Sequence, residues 1–151
     1  MNSGKIIAIS VSKRKGIQKT NVESALFIKN HGIDGDAHAG DWHRQVSFLS
    51  IESIGKMRDT GLINVEPGDF AENITTESID LLKLKIGDRI KSGDVIFEIT
   101  QIGKECHSHC AIYHAVGDCV MPREGLFARV ISGGEIAVGD SIEVLAEVIY
   151  A

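Results

Sequence analysis

The chain is expected to be mostly β, a β-barrel with a few short helices. Three observations predict this class. Short runs rich in Val, Ile, Thr and Phe recur along the whole 151 residues. Most end in Gly, Asp or Asn, and 16 glycines against 2 prolines suit many tight turns. Helical spacing of apolar residues is confined to two short segments, so helices are insertions rather than the frame.

Each element has its own warrant. Ile6 to Val11 reads as a first strand, and the β-branched and aromatic run Val22 to Lys29 as a second, ending at His31-Gly32. Gln45 to Leu49 is a short third strand. Ser50 to Thr60 places Ile51, Ile54 and Met57 at helical spacing, with Ser50 as N-cap and Gly61 just past the end. Arg89 to Lys91 and Asp94 to Gln101 form a hairpin around Ser92-Gly93. Ser108 to Val116 is the second helix, capped by Ser108 and stopped by Gly117. Leu126 to Ile131 and Ser141 to Ile149 complete the series, joined through Ser132-Gly133-Gly134. Lys85-Ile86-Gly87-Asp88-Arg89-Ile90 echoes Ala137-Val138-Gly139-Asp140-Ser141-Ile142, which reads as two similar turns rather than a duplication.

With no linker or low-complexity stretch, residues 1–151 are expected to form one domain, long enough to bury a core without disulfides. The net charge of −5 argues against a general nucleic-acid binder or membrane-surface protein. No apolar run approaches the roughly 20 residues of a membrane span. The N-terminal stretch reads as a strand rather than an export signal. Three cysteines, an odd number, are expected to be reduced thiols in a cytoplasmic protein.

Those three cysteines, with three of the six histidines, lie within Lys104 to Cys119. Cys106, Cys110, His114 and Cys119 can be drawn as a zinc set, but one helix face plus one following residue is a poor tetrahedral cage, and zinc is not expected. Cys110 and Cys119 have apolar neighbours and read as small hydrophobes. Cys106 differs. Lys104, His107 and His109 surround it, and it precedes a helix N-terminus, all of which favour a thiolate. Cys106 is therefore the candidate reactive thiol.

Three further stretches carry polar chemistry. His31 to Ser50 is a loop holding His31, His38, His43, the only Trp, and Arg44. A metal can use His38, His43 and a carboxylate; the alternative is solvated turn residues, with Asp34 and Asp36 making Asx-type turns. Arg44 stands out because a guanidinium grips phosphate or carboxylate bidentately. In Glu66 to Thr76, Pro67-Gly68 suits a type II turn, with Glu72 and Asn73 supporting the loop or lining a cleft. In Met121 to Val130, Arg123 and Arg129 add positive charge. With Lys13, Arg14, Lys15, Lys19 and Arg44 they can form a local anion site on an acidic protein.

The stretches GIDGDAHAGDWHRQVS, PGDFAENIT, QIGKECHSHC and GDCVMPREGLFARV, in that order, resemble the MOSC domain family, named for the C-terminal part of molybdenum cofactor sulfurases. The match runs from about Lys5 to Leu145 and is closest to the short stand-alone bacterial form. The resemblance implies a barrel related to the small domain of pyruvate kinase. It implies a functional cysteine after a strand-ending Gly, which falls on Cys106 behind Gln101-Ile102-Gly103, with Glu105 where the family commonly has Pro. It places the family's basic residue on Arg44.

Two activities follow from the resemblance. One is sulfur carriage, with a Cys106 persulfide delivered to the molybdenum cofactor. The other is ligation of molybdenum by Cys106 in a reductase of N-hydroxylated compounds. A zinc-stabilised binding module is the third, non-enzymatic reading. The first two need cations for the pterin phosphate, and the candidates are Arg44, His38, His43, Lys104, Arg123 and Arg129. The implied partners are the molybdenum cofactor (molybdopterin) or its biosynthetic proteins, and a sulfur donor such as a cysteine desulfurase. Pyridoxal phosphate enters only by family association. No nucleic acid or membrane partner is expected.

Overall fold

The computed structural model describes residues 2–59, 65–103 and 124–145. Their elements are β1 (Ser3–Val11), β2 (Thr20–Val22), β3 (Ser24–Ile28), β4 (Gly32–Ile33), β5 (Val46–Ser50), α1 (Ile51–Asp59), β6 (Ile74–Glu77), a 3-10 turn (Leu81–Lys83), β7 (Arg89–Ser92), β8 (Val95–Ile102), β9 (Leu126–Ser132), β10 (Gly134–Ala137) and β11 (Ser141–Val144). The hydrogen-bonded order β11-β7-β8-β9-β5-β6-β1 returns to β11 and closes a seven-stranded barrel. Closure removes the free strand edges that would otherwise pair with other chains.

All neighbours in the barrel are antiparallel except β5 and β6. A parallel pair needs a crossover, and α1 supplies it. Ser50 starts that helix as the sequence predicts, its Oγ accepting the Ser53 N–H at 3.0 Å. β2 extends from β1, while β10, β3 and β4 form a separate three-stranded sheet.

The alternation of strand residues sorts the core. Val46 and Phe48 of β5, Phe97 and Ile99 of β8, and Ala128 and Val130 of β9 are buried in the barrel core. Phe97 meets Phe48 and Phe27 edge-on, with centroids 5.0 and 5.5 Å apart. Phe27 belongs to β3, so this aromatic trio ties the small sheet to the barrel. The other face of β5 and β9 is also covered: Leu49 and Phe127 pack with Ile54 and Met57 of α1 and with Val65 and Phe70.

Four expectations change. The strand expected over Val22–Lys29 is two strands, split at Glu23, and β2 and β3 join different sheets. β6 was not expected, because Thr75 and Thr76 are as fully buried as Ile74 and no alternation shows. β10 lies where a connector was expected. Its leading glycines mark close packing rather than a turn, since a Cβ on Gly133 would sit 2.7 Å from the Phe27 carbonyl oxygen. The hairpin turn between β7 and β8 falls at Gly93-Asp94, one residue late. The expected Ser108–Val116 helix and Gly61 lie outside the described residues.

The echoed segments are the same turn in detail. Asp88 N–H donates to the Lys85 carbonyl at 3.0 Å and Asp88 Oδ2 accepts the Lys85 N–H at 2.8 Å; Asp140 and Ala137 repeat both bonds at 3.1 and 2.9 Å. The glycines between have φ of 97° and 98°, a left-handed value that Gly adopts without strain. Each turn docks through Gly N–H and Asp C=O onto a neighbouring strand, at Ile99 and at Ile6.

Candidate functional site

The polar loop after β4 builds two clusters of opposite character. The first is closed. Lys19 and Asp36 form an ion pair at 2.8 Å with both side chains fully buried. The Lys19 ammonium has three N–H donors and three acceptors around it: Asp36 Oδ1, Ser12 Oγ at 2.9 Å and His38 Nδ1 at 2.9 Å. Asp36 also accepts the Ser12 N–H on Oδ1 and the His38 N–H on Oδ2, the latter an Asx-type bond. Burial pulls the Lys19 ammonium below its usual range despite Asp36. Burial alone would push the Asp36 carboxyl up, but the hydrogen bond and charge of Lys19 outweigh it and hold Asp36 low.

The PGDFAEN segment locks onto this pair. Lys19 N–H donates to the Gly68 carbonyl at 2.8 Å, and Gly68 N–H donates to Glu72 Oε1 at 3.0 Å. Glu72 is fully buried, takes the Thr75 hydroxyl on its other oxygen, and is pushed up to about 7 by that burial. Asn73 bridges β1 and β5 through the Ser10 carbonyl and the Ser47 N–H. Glu72 and Asn73 hold the loop through these bonds.

The second cluster is open. Trp42 is anchored by Nε1–H to the His38 carbonyl at 2.7 Å and lies parallel to the His38 ring, with centroids 6.5 Å apart. Lys15 Nζ sits 4.3 Å from the Trp42 ring centre. The Arg44 guanidinium lies 5.2 Å from the Phe127 ring and 6.0 Å from Trp42. Gln101 Oε1 accepts both Arg44 Nε–H and His43 Nε2–H at 2.9 Å, and Gln101 Nε2 donates to the Gly103 carbonyl at 2.8 Å. The Thr100 hydroxyl donates to the His43 carbonyl. Gly103 N–H in turn donates to the Gly125 carbonyl at 2.7 Å, joining the end of β8 to the start of β9. Arg44 uses only Nε for hydrogen bonding among the described residues, so its two terminal nitrogens are available to a ligand.

The cations singled out in the sequence thus divide. Lys15, His43 and Arg44 share the open cluster. Lys19 is sealed against Asp36. His38 spans both clusters. Arg129 stands on β9, half-buried, its Nε without a hydrogen-bond partner in the described structure. Lys104, Cys106, Arg123, Cys110, His114 and Cys119 lie outside the described residues. His38, His43 and a carboxylate do not assemble for a metal: the described residues contain no group of three such ligands. A cavity of about 190 Å³ between α1 and Ser78–Leu82 is lined by none of these candidates.

Sequence reading missed Gln101, Thr100 and Phe127. No local sequence signal marks them; the irregular register between Ile99 and Gln101, where β8 shifts against β9, re-aims the last side chains of β8.

The family model described as the MOSC domain matches residues 34–143. The solved YUAD protein from Bacillus subtilis superposes with a TM-score of 0.78 at 19% identity, covering 94% of this chain and 95% of that one. YiiM from Geobacillus stearothermophilus gives 0.73 at 19% identity, covering 95% and 75%, and YiiM from Escherichia coli gives 0.69 at 15%, covering 95% and 71%. At these identities the structures speak for the fold. No curated protein matches the chain significantly in sequence.

Proposed function

This chain belongs to the MOSC domain family, which is associated with molybdenum-cofactor-related function, and on that premise we propose that it carries sulfur for the molybdenum cofactor on Cys106. The Cys106 thiolate attacks the outer sulfur of a donor persulfide. A sulfur–sulfur bond forms at Cys106, the donor's own breaks, and the donor leaves as a thiolate, so the exchange is redox-neutral. The acceptor cofactor is then a substrate.

The observation that supports this reading is the Gln101 junction. One side-chain amide holds Arg44, His43 and the carbonyl of Gly103, the residue from which the chain runs on to Lys104 and Cys106. Three Cα–Cα links, at most about 11 Å, separate Cys106 from Gly103 in the chain. Arg44 and Lys15, over apolar rings, are chemically suited to a phosphate on a planar ligand. If the cofactor instead binds as a resident group, it supplies a redox metal centre, and these same residues hold its phosphate.

The test is intact mass and elemental analysis of the wild type and Cys106→Ser after exposure to a sulfane-sulfur donor in a molybdate-supplied host. We expect one added sulfur atom on the wild type, absent from the variant. Near-stoichiometric molybdenum lost in the variant would replace the carrier by a cofactor-binding reductase. Zinc retained in both would replace both by a structural metal site.

A further inference from the structure

We propose that Lys19 is a positioning residue that fixes His38 as the Nε2–H tautomer, so that an anion reaching the far ring edge of His38 meets a hydrogen-bond donor and not a base or metal ligand. The donor role rests on the anion-binding part of the reading above; the tautomer does not.

The argument is one of donor counting. An ammonium has three hydrogens and no acceptor. Those of Lys19 meet Asp36 Oδ1 at 2.8 Å, Ser12 Oγ at 2.9 Å and His38 Nδ1 at 2.9 Å. Ser12 Oγ can only accept here, because its own hydrogen goes to the Arg14 carbonyl at 2.8 Å. Asp36 Oδ1 is a carboxylate oxygen that already accepts the Ser12 N–H. The third hydrogen therefore goes to His38 Nδ1, which must present its lone pair. In a neutral imidazole the proton then sits on Nε2.

Geometry makes the arrangement rigid. Lys19 and Asp36 are fully buried, so no water replaces either partner. The His38 backbone is fixed from two sides, by its N–H on Asp36 Oδ2 at 3.1 Å and its carbonyl on Trp42 Nε1 at 2.7 Å. With Nδ1 turned to the buried pair, the opposite ring edge faces away from it, on a side chain that is half-buried and parallel to Trp42. Trp42 is the ring that Lys15 and Arg44 overlie. Whatever meets Nε2 meets an N–H, which suits an oxyanion and repels a metal cation. Asp36 thus acts on His38 in two ways, on its ring through Lys19 and on its backbone N–H directly.

Long-range nitrogen–proton correlation of the imidazoles, with His38 assigned by loss of its signals in His38→Phe, tests the tautomer on the wild type alone. We expect an unprotonated Nδ1 and a protonated Nε2. A protonated Nδ1 at neutral pH overturns the proposal. Lys19→Met, where it folds, should let His38 Nδ1 shift towards the averaged value of an unrestrained imidazole; an unchanged Nδ1 in a folded variant overturns the positioning role. Titration with inorganic phosphate tests the donor role. His38→Phe keeps the ring but has no donor, and should bind phosphate roughly ten-fold more weakly, as loss of one hydrogen bond implies. Equal binding by both proteins, or none by the wild type, overturns that role. Failure of the sulfur reading appears elsewhere, in the Cys106 mass, so the two are separable.

Discussion

The loop after β4 feeds two polar clusters that share His38 and differ in almost everything else. Around Lys19 and Asp36 every Lys19 donor has its acceptor, both side chains are buried, and the β1, loop and PGDFAEN segments meet. Around Trp42 and Arg44 the cations lie over aromatic faces, and the terminal guanidinium nitrogens carry no hydrogen bond among the described residues. A buried ion pair is weak evidence of added stability, because desolvation consumes most of its attraction. What such a pair secures is one geometry, here the path of the loop. An open cationic cluster costs less to build and keeps its charge for something else. The closed cluster is architecture, and the open one is where a ligand would find partners.

The sharpest way to break the comparison is to unpair the closed cluster. Lys19→Met leaves the Asp36 carboxylate buried without a counter-charge. Loss of one buried partner costs about 3–5 kcal/mol, and chemical denaturation should show a loss of this size. Replacing both partners, Lys19→Met with Asp36→Leu, should recover much of it. If the single variant loses less than about 1 kcal/mol, the pair is wetter than its geometry states and the contrast between clusters collapses.

Acid and base should separate the two buried carboxylates. Asp36 is held below its ordinary range, so its contribution is present above the unfolded carboxylate pKa and fades as pH falls through the folded one. Glu72 is raised from 4.5 to about 7. The folded state then binds the extra proton between those values, so stability falls as pH rises through that window, by about 3 kcal/mol at 1.36 kcal/mol per unit. Glu72→Gln keeps an oxygen for the Gly68 N–H and removes the titration. Its stability should be flat across pH 4.5–7 in Glu72's share, and an unchanged slope would assign the pH dependence to another group.

What could be read from the sequence follows the range of the interactions. The Ser50 cap and α1 were legible because both signals lie within a few residues, and so were the two Gly–Asp turns, each closed by its own Asp. β6 was not, since Thr75 and Thr76 are buried through pairing with β1 and β5 and so lose the polar-out pattern. The site shows the same division. Arg44 and the His38–His43 loop stood out by residue type. Lys19 read as one more member of a local anion site, because its partner is 17 residues away and nothing local announces burial. Gln101 is invisible alone: its role comes from a shifted register and from a loop 57 residues earlier.

The smallest stability effect should carry the largest functional one. Arg44→Ala removes a half-exposed side chain whose structural contacts are one hydrogen bond to Gln101 and two ring faces. Such contacts are worth about 2 kcal/mol together, below the loss at Lys19. If the open cluster is built for an anion, the same substitution should weaken inorganic phosphate binding by roughly ten-fold or more, the value of a charge-assisted hydrogen bond. Added salt should erode the wild-type affinity and narrow the gap. Arg44→Lys keeps the charge but loses both the planar fork and the Gln101 bond through Nε, so it should restore little. A variant as destabilised as Lys19→Met would place Arg44 with the architecture instead. Full phosphate affinity in a stable Arg44→Ala would move the ligand's anchor elsewhere, with Lys15 and Arg129 the next cations to replace.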